Sequence, residues 1–162
     1  MTGKIIGVFG GGMIATDGEE WRMAEEVGRR IAEAGHYLLT GGLGGVMTAA
    51  SKGAKNAGGI TIAVMPGNRK SGAVPNPYVD IPIFTGMGEA RNVINVKSCD
   101  AAIAIGGEYG TLSEIALALK AGCPMVLLHS WNFSPWSGDR PSASLATADS
   151  AAEAVNKALS LC

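Results

Sequence analysis

Short apolar runs alternate along the chain with segments in which apolar residues recur at helical spacing. Several of the runs are apolar at consecutive positions, which is typical of parallel strands that are buried on both faces of a sheet. The runs predict strands over residues 4–9, 36–40, 60–65, 79–84, 101–105 and 125–129.

The segments between the runs carry the signals of helices. Residues 19–34 are amphipathic and are followed by Gly35, a natural helix terminator. The closing helix opens with Ser150 and has Glu153 three residues later, which is a capping-box sequence. Strand–helix alternation within a single domain, residues 1–162, predicts an α/β fold: a Rossmann-like, doubly wound parallel sheet of about six strands with helices on both faces. The other helices are predicted over residues 46–57, 88–98 and 115–121.

Residues 130–147 interrupt the alternation. The segment is irregular and carries Trp131, Phe133 and Trp136. We interpret it as a long aromatic loop that is either a lid or a packing surface between subunits.

Glycine is the outlier in the composition. The chain has 24 glycines among 162 residues, about 15% against a typical usage of roughly 7%, and they cluster where the predicted strands end.

The net charge is −1, with 13 basic and 14 acidic residues in no long block, which argues against a nucleic-acid partner. Three scattered cysteines without metal-ligand spacing favour a reduced, cytoplasmic protein with no metal site. No apolar segment has the length of a membrane span, so no membrane partner is expected.

Two glycine-rich loops follow the first and second predicted strands. Residues 10–15 match the dinucleotide fingerprint in a permissive form, and residues 41–47 lead into a helix. Since no acidic residue ends the second strand and no Gly-Lys-Ser/Thr follows the second loop, neither a nicotinamide site nor a P-loop is complete. Glycines at a helix start leave backbone N–H groups open to an anion, although they also form simple tight turns. The predicted phosphate contacts are Gly42 and Gly45, supported by Gly11 and Gly12.

A third loop, Gly106-Gly107-Glu108-Tyr109-Gly110-Thr111-Leu112-Ser113-Glu114, follows the apolar run 101–105 and precedes a predicted helix. Its glycines and its hydroxyl group favour a phosphate cradle, for which we predict Gly107, Gly110 and Thr111. Residues 111–114 also spell a capping box, in which Glu114 would only satisfy a backbone N–H.

Arg91 precedes Glu114 by 23 residues and lies near the start of the preceding predicted helix. Consecutive helix starts flank one strand at the edge where ligands of open α/β sheets bind, so the two side chains are expected to share a site. The alternatives are a solvated surface arginine and an arginine that pairs with Glu89.

These residues resemble the LONELY GUY superfamily, once labelled lysine-decarboxylase-like. The stretch 41–47, Arg91 and the stretch 107–114 carry the resemblance, which covers residues 4–129. The family's signature reads Pro-Gly-Gly-x-Gly-Thr-x-x-Glu, with an arginine upstream in a Met-His-x-Arg-Lys segment. The resemblance implies hydrolysis of the N-glycosidic bond of a nucleoside 5′-monophosphate, in which the arginine and the glutamate work on the ribose and the leaving base.

The chain departs from that enzyme pattern. Gly106 and Glu108 replace the proline and the second glycine, Gly88-Glu89 stands where Met-His is expected, and Asn92 stands for the lysine. The spelling Ala90-Arg91-Asn92, together with residues 110–115, is more similar to a sister group that includes the molybdenum-cofactor carrier proteins. Those are binding proteins, typically oligomeric, that hold a phosphorylated pterin.

The resemblance therefore implies a binding protein for a phosphorylated, nucleotide-like small molecule. A molybdenum cofactor or a nucleotide is the expected ligand, and no cofactor is required for folding. Arg91 and Glu114 would contact the middle of this ligand or, if the protein is an enzyme, catalyse. The alternatives are a nucleoside 5′-monophosphate phosphoribohydrolase and a nucleotide-sensing domain. The aromatic segment and the oligomeric character of the family predict a homo-oligomer, a dimer or a tetramer.

Overall fold

The computed structural model describes residues 3–132 and 145–162. Within them, strands and helices alternate as the apolar pattern predicts, with seven strands and five α-helices. The elements are β1 Ile5–Gly10, α1 Glu19–Glu33, β2 Tyr37–Thr40, α2 Val46–Asn56, β3 Thr61–Met65, β4 Ile81–Phe84, α3 Asn92–Lys97, β5 Ala101–Ile105, α4 Tyr109–Ala121, β6 Met125–Leu128, β7 Leu145–Ala148 and α5 Ala151–Leu161.

All strand pairs in the sheet are parallel, and the strand order is β4-β3-β2-β1-β5-β6-β7. The chain moves outward from β1 to β4, returns to the other side of β1, and then moves outward in the opposite direction. The order therefore reverses between β1 and β5, where Phe9 pairs with Ala104 and Gly10 with Ile105. Ligands of such sheets bind beyond the carboxyl ends of the strands at this reversal.

Two apolar cores cover the two faces of the sheet. On one face, the strands pack against α1, α2 and α5 through residues such as Val27, Ala50 and Ala154. On the other face they pack against α3 and α4, through Val96 and Ile115. Helices on both faces and the Rossmann-like α/β architecture confirm the predicted fold class.

The number of strands differs from the prediction. The irregular loop was predicted over residues 130–147, but Leu145–Ala148 form β7, which pairs with β6 from Leu145 opposite Met125 to Ala148 opposite Leu128. This edge strand is only partly buried, so its sequence lacks a long apolar run. It forms because β6 offers a row of unpaired backbone groups, which a parallel strand satisfies.

The helix after β5 also begins earlier than predicted. Residues 115–121 were the expected helix, whereas α4 starts at Tyr109. Gly106 and Gly107, with φ of 52° and 115°, complete the turn out of β5 within two residues. The predicted helix 88–98 is likewise divided into a 3-10 turn, Gly88–Arg91, and the short α3.

Of the three aromatic residues predicted to lie in the irregular loop, Trp131 is among the described residues. Its ring lies against that of Tyr109, with ring centroids 6.3 Å apart; Phe133 and Trp136 lie outside the described residues.

The predicted cap of α5 is present, since the Ser150 hydroxyl accepts a hydrogen bond from the Glu153 N–H at 3.2 Å. In the described part of the chain, no helix has the length and apolar character needed to cross a membrane.

Candidate functional site

A cleft of about 160 Å³ lies at the carboxyl ends of β1, β2 and β5, where the strand order reverses. The structure brings six of the predicted site residues to this cleft: Gly11, Gly12, Arg91, Gly110, Thr111 and Glu114. It does not bring Gly42, Gly45 and Gly107 there. The residues that complete the lining are Phe9, Gly10, Gly41, Met47, Glu89, Asn92 and Glu108.

The first two glycine loops pack directly on each other. The N–H of Val46, the first residue of α2, donates to the carbonyl oxygen of Gly11 at 3.0 Å. Gly45 has a φ of 61°, and a Cβ at this position would come within 2.1 Å of the same oxygen. Gly45 is therefore needed for the contact between the two loops.

Gly42 serves the turn out of β2. Its N–H donates to the Thr40 hydroxyl oxygen at 3.1 Å, so this donor is already engaged. Its φ of 76° and a Cβ position only 2.4 Å from the Met65 sulfur require glycine. The phosphate contact predicted for Gly42 thus has no open donor in this arrangement.

The third loop places the first residues of α4 at the cleft. Gly107 forms the turn into this helix. The position requires glycine, because its φ is 115° and a Cβ there would meet the Thr111 side chain at 2.6 Å. The first N–H groups of a helix have no acceptor within the helix, so those of Gly110 and Thr111 are oriented for an anion. Glu108 is the N-cap residue, and its side chain makes no capping hydrogen bond.

Arg91 is buried beside the cleft, with only 8% of its surface exposed. Its Nη1 donates to the Asn92 side-chain oxygen at 2.8 Å and lies 3.5 Å from the Glu114 Oε1. Its Nε is buried and has no hydrogen-bond partner among the described residues. Burial lowers the pKa of this guanidinium, while the charges of Glu114 and Glu89 oppose that change. The interpretation of Arg91 as a solvated surface residue is wrong.

The guanidinium lies against the backbone of Gly41. A Cβ at that position would meet both terminal nitrogens of Arg91 at 2.7 Å. Gly41 was not among the predicted site residues, although it opens the second glycine loop. Only the position of Arg91, fifty residues along the chain, reveals why no side chain fits here.

Glu114 is equally buried, and it forms the other half of the pair. Its Oε1 accepts a hydrogen bond from the Asn95 side-chain amide at 2.9 Å. Burial raises the pKa of the Glu114 carboxyl to about 7, against the lowering effects of Asn95 and Arg91. Residues 111–114 lie inside α4 and the carboxylate binds side chains, so the capping-box interpretation is wrong.

Asn92 links this pair to the start of α4. Its side-chain nitrogen donates to the Ser113 hydroxyl oxygen at 2.9 Å, and that hydroxyl donates to the Gly110 carbonyl at 2.6 Å. The Asn95 side-chain oxygen, in contrast, is buried without a partner among the described residues. Arg91, Glu114 and the helix start are thus held together by one set of polar contacts.

The charges around the cleft are mixed. Among the described residues that line it, Arg91 is the one cation, while Glu89, Glu108 and Glu114 bring carboxyl groups. Glu108 reaches across the cleft toward the first loop, with its Oε1 3.8 Å from the position of a Cβ on Gly11. No group of three metal-binding side chains occurs in residues 3–132 and 145–162.

A larger cavity of about 900 Å³ lies at the opposite, amino end of the sheet. It is lined by Val93, Cys99, Leu117 and Cys123, among others. Burial raises the pKa of the Cys123 thiol to about 11 and that of Cys99 well above its ordinary value, so both thiols stay protonated. The small cleft, with its glycine loops and buried ion pair, is therefore the better candidate for a ligand site.

Comparison with known proteins shows the family to which the chain belongs. Residues 3–158 match the SLOG cluster4 family. An uncharacterized protein of Archaeoglobus fulgidus is 54% identical over 117 residues, which are 72% of this chain and 74% of that protein.

Two solved structures are similar over nearly the whole chain. The molybdenum cofactor binding protein of Rippkaea orientalis aligns with a TM-score of 0.88 and 40% identity, covering 99% of this chain and 98% of that one. The molybdenum cofactor carrier protein of Chlamydomonas reinhardtii aligns with a TM-score of 0.85, at the same identity and coverage. These likenesses confirm the resemblance that the motifs of the sequence predict.

Proposed function

Because the chain belongs to the SLOG cluster4 family, we propose that it is a binding protein for a phosphorylated pterin of the molybdenum-cofactor type and acts as its carrier. The observation that carries the proposal is the 40% identity with molybdenum cofactor-binding proteins over 99% of the chain. The same comparisons favour a binding function over the phosphoribohydrolase alternative. Self-association and a cytoplasmic location remain part of the proposal.

The cleft offers donors that suit a phosphate group. The N–H groups of Gly110 and Thr111 lie at the positive end of the α4 dipole, which stabilises an anion. The buried Nε of Arg91 lacks a partner among the described residues, and a phosphate oxygen would supply one. A dianion would also offset the cost of keeping the guanidinium out of water.

The size of the cleft limits what it can enclose. Drug-sized ligands occupy clefts of roughly 300–1,000 Å³, whereas this one measures about 160 Å³. The phosphate and the atoms beside it therefore lie inside the cleft, and the ring system extends over its mouth. This arrangement suits a carrier, which must release its ligand intact.

Glu114 has a supporting role in this function. Its carboxyl group fixes Arg91 and is itself fixed by Asn95, and at neutral pH its raised pKa leaves it partly protonated. Such a group holds the guanidinium in place without fully cancelling its charge toward the phosphate.

The test is binding of the cofactor itself. Purified protein is incubated with the molybdenum cofactor and passed over a desalting column, and molybdenum and pterin are then measured in the protein fraction. We expect near-stoichiometric binding by the wild type and at least tenfold weaker binding by Arg91→Ala. Arg69→Ala is the matched control, because Arg69 lies over the Phe84 ring, away from the cleft.

Two results would contradict the proposal. One is a wild-type protein that retains no cofactor. The other is release of free adenine from AMP that the Glu114→Gln variant abolishes, since it would identify a hydrolase.

A further inference from the structure

Glu108 occupies the N-cap position of α4 without acting as a cap. The residue is exposed at the start of α4, and its side chain makes no capping hydrogen bond. It instead lines the cleft, near Gly11 of the first loop. A carboxylate at this position accepts hydrogen bonds readily, and it leaves the N–H groups of Gly110 and Thr111 uncovered.

The cleft consequently offers a ligand two kinds of chemistry. Arg91 and the start of α4 provide donors, which suit phosphate oxygens. Glu108 provides two acceptor oxygens and a negative charge, which would repel a phosphate at the same point. A ligand that fills both parts must carry a phosphate at one end and N–H donors at the other.

We propose that Glu108 determines ring specificity by accepting hydrogen bonds from an amino group and an adjacent ring N–H of the ligand. Two parallel N–H donors match the two oxygens of a carboxylate. The 2-amino-4-oxo edge of a pterin has this pattern, and guanine shares it. The inference rests on the proposed function, because it takes the phosphate to lie at the start of α4.

The test uses ligand pairs that differ at the 2-amino group. The first pair is a 2-amino-4-oxopteridine phosphate ester and its analogue without the 2-amino group; the second is GMP and IMP. Ribose 5-phosphate serves as a probe without a ring. Dissociation constants are measured by titration calorimetry for the wild type, Glu108→Gln and Glu89→Gln.

We expect the wild type to prefer the 2-amino member of at least one pair by about tenfold to hundredfold, the range of a charge-assisted hydrogen bond. In Glu108→Gln this preference should fall below about threefold, while ribose 5-phosphate binds as well or better. Glu89→Gln removes the same charge from the same cleft and should retain the preference. A preference seen only in the pteridine pair identifies a pterin as the ligand. A preference for GMP over IMP, with none in the pteridine pair, identifies a guanine nucleotide.

Other results separate the two proposals. If the wild type binds the ligands but shows no preference, or if Glu108→Gln keeps it, the role of Glu108 is refuted while the carrier function stands. Equal loss of preference in Glu89→Gln also refutes it, because charge alone would then explain the effect. If ribose 5-phosphate and all four ring compounds fail to bind, both proposals fall.

Discussion

The burial of Glu114 predicts that the stability of this protein depends on pH in an unusual direction. Burial raises the pKa of its carboxyl from an ordinary value of 4.5 to about 7. The folded state therefore binds more protons than the unfolded state between these values, and the free energy of unfolding falls as pH rises through them. The difference corresponds to about 3 kcal/mol, a large part of the roughly 5–15 kcal/mol that stabilises a typical domain.

Replacing Glu114 by glutamine isolates this effect. The amide oxygen still accepts from Asn95, but the side chain no longer ionises. Urea unfolding of both proteins, followed by circular dichroism between pH 4.5 and 8.5, gives the free energy of unfolding at each pH. We expect the wild type to lose about 3 kcal/mol relative to Glu114→Gln from the lowest to the highest pH, with most of the loss between pH 5 and 7.

Glu153→Gln is the matched control. The Asp149 N–H and Lys157 lower the pKa of the exposed Glu153 carboxyl, so its contribution is present above its unfolded pKa and is lost as pH falls. Because this carboxyl titrates below pH 4.5, its contribution should change little between pH 4.5 and 8.5, and with the opposite sign. A difference between wild type and Glu114→Gln that stays constant over the whole pH range would refute the burial argument.

Three further predictions concern the cleft, a helix cap and the assembly. In Gly41→Ala the new Cβ would collide with the Arg91 guanidinium, so cofactor binding should weaken by roughly tenfold to hundredfold and the midpoint of thermal unfolding should fall. Gly110→Ala, which meets no atom within 4 Å, should leave that midpoint unchanged or raise it; a Gly41→Ala protein as stable and tight-binding as the wild type would contradict the packing argument. Ser150→Ala removes the hydroxyl that accepts from the Glu153 N–H and should cost about 1 kcal/mol in urea unfolding, whereas no loss would mean that the cap is not formed in solution. Light scattering at micromolar concentration should give the mass of a dimer or a tetramer, and a monomer would contradict self-association.

The sequence by itself predicts most of the architecture and much of the site. Consecutive apolar residues in the strands and helical spacing between them are local signals, and they identify six strands and all five helices. The glycine loops follow the strands that end at the cleft, and the motif around Arg91 and Glu114 identifies the family. Such signals suffice because neighbouring residues produce them and because the carboxyl ends of parallel strands always share one edge.

Only the tertiary structure decides the roles of individual residues in the site. The strand order places Gly41 under Arg91, Gly45 against Gly11, and Glu114 beside Asn95, although these residues are far apart in the chain. Burial of the ion pair, and with it the raised pKa of Glu114, depends on how α3 and α4 pack, which no local pattern encodes. The edge strand β7 likewise forms because β6 is unpaired on that side. Its own four residues carry too little apolar surface to predict it.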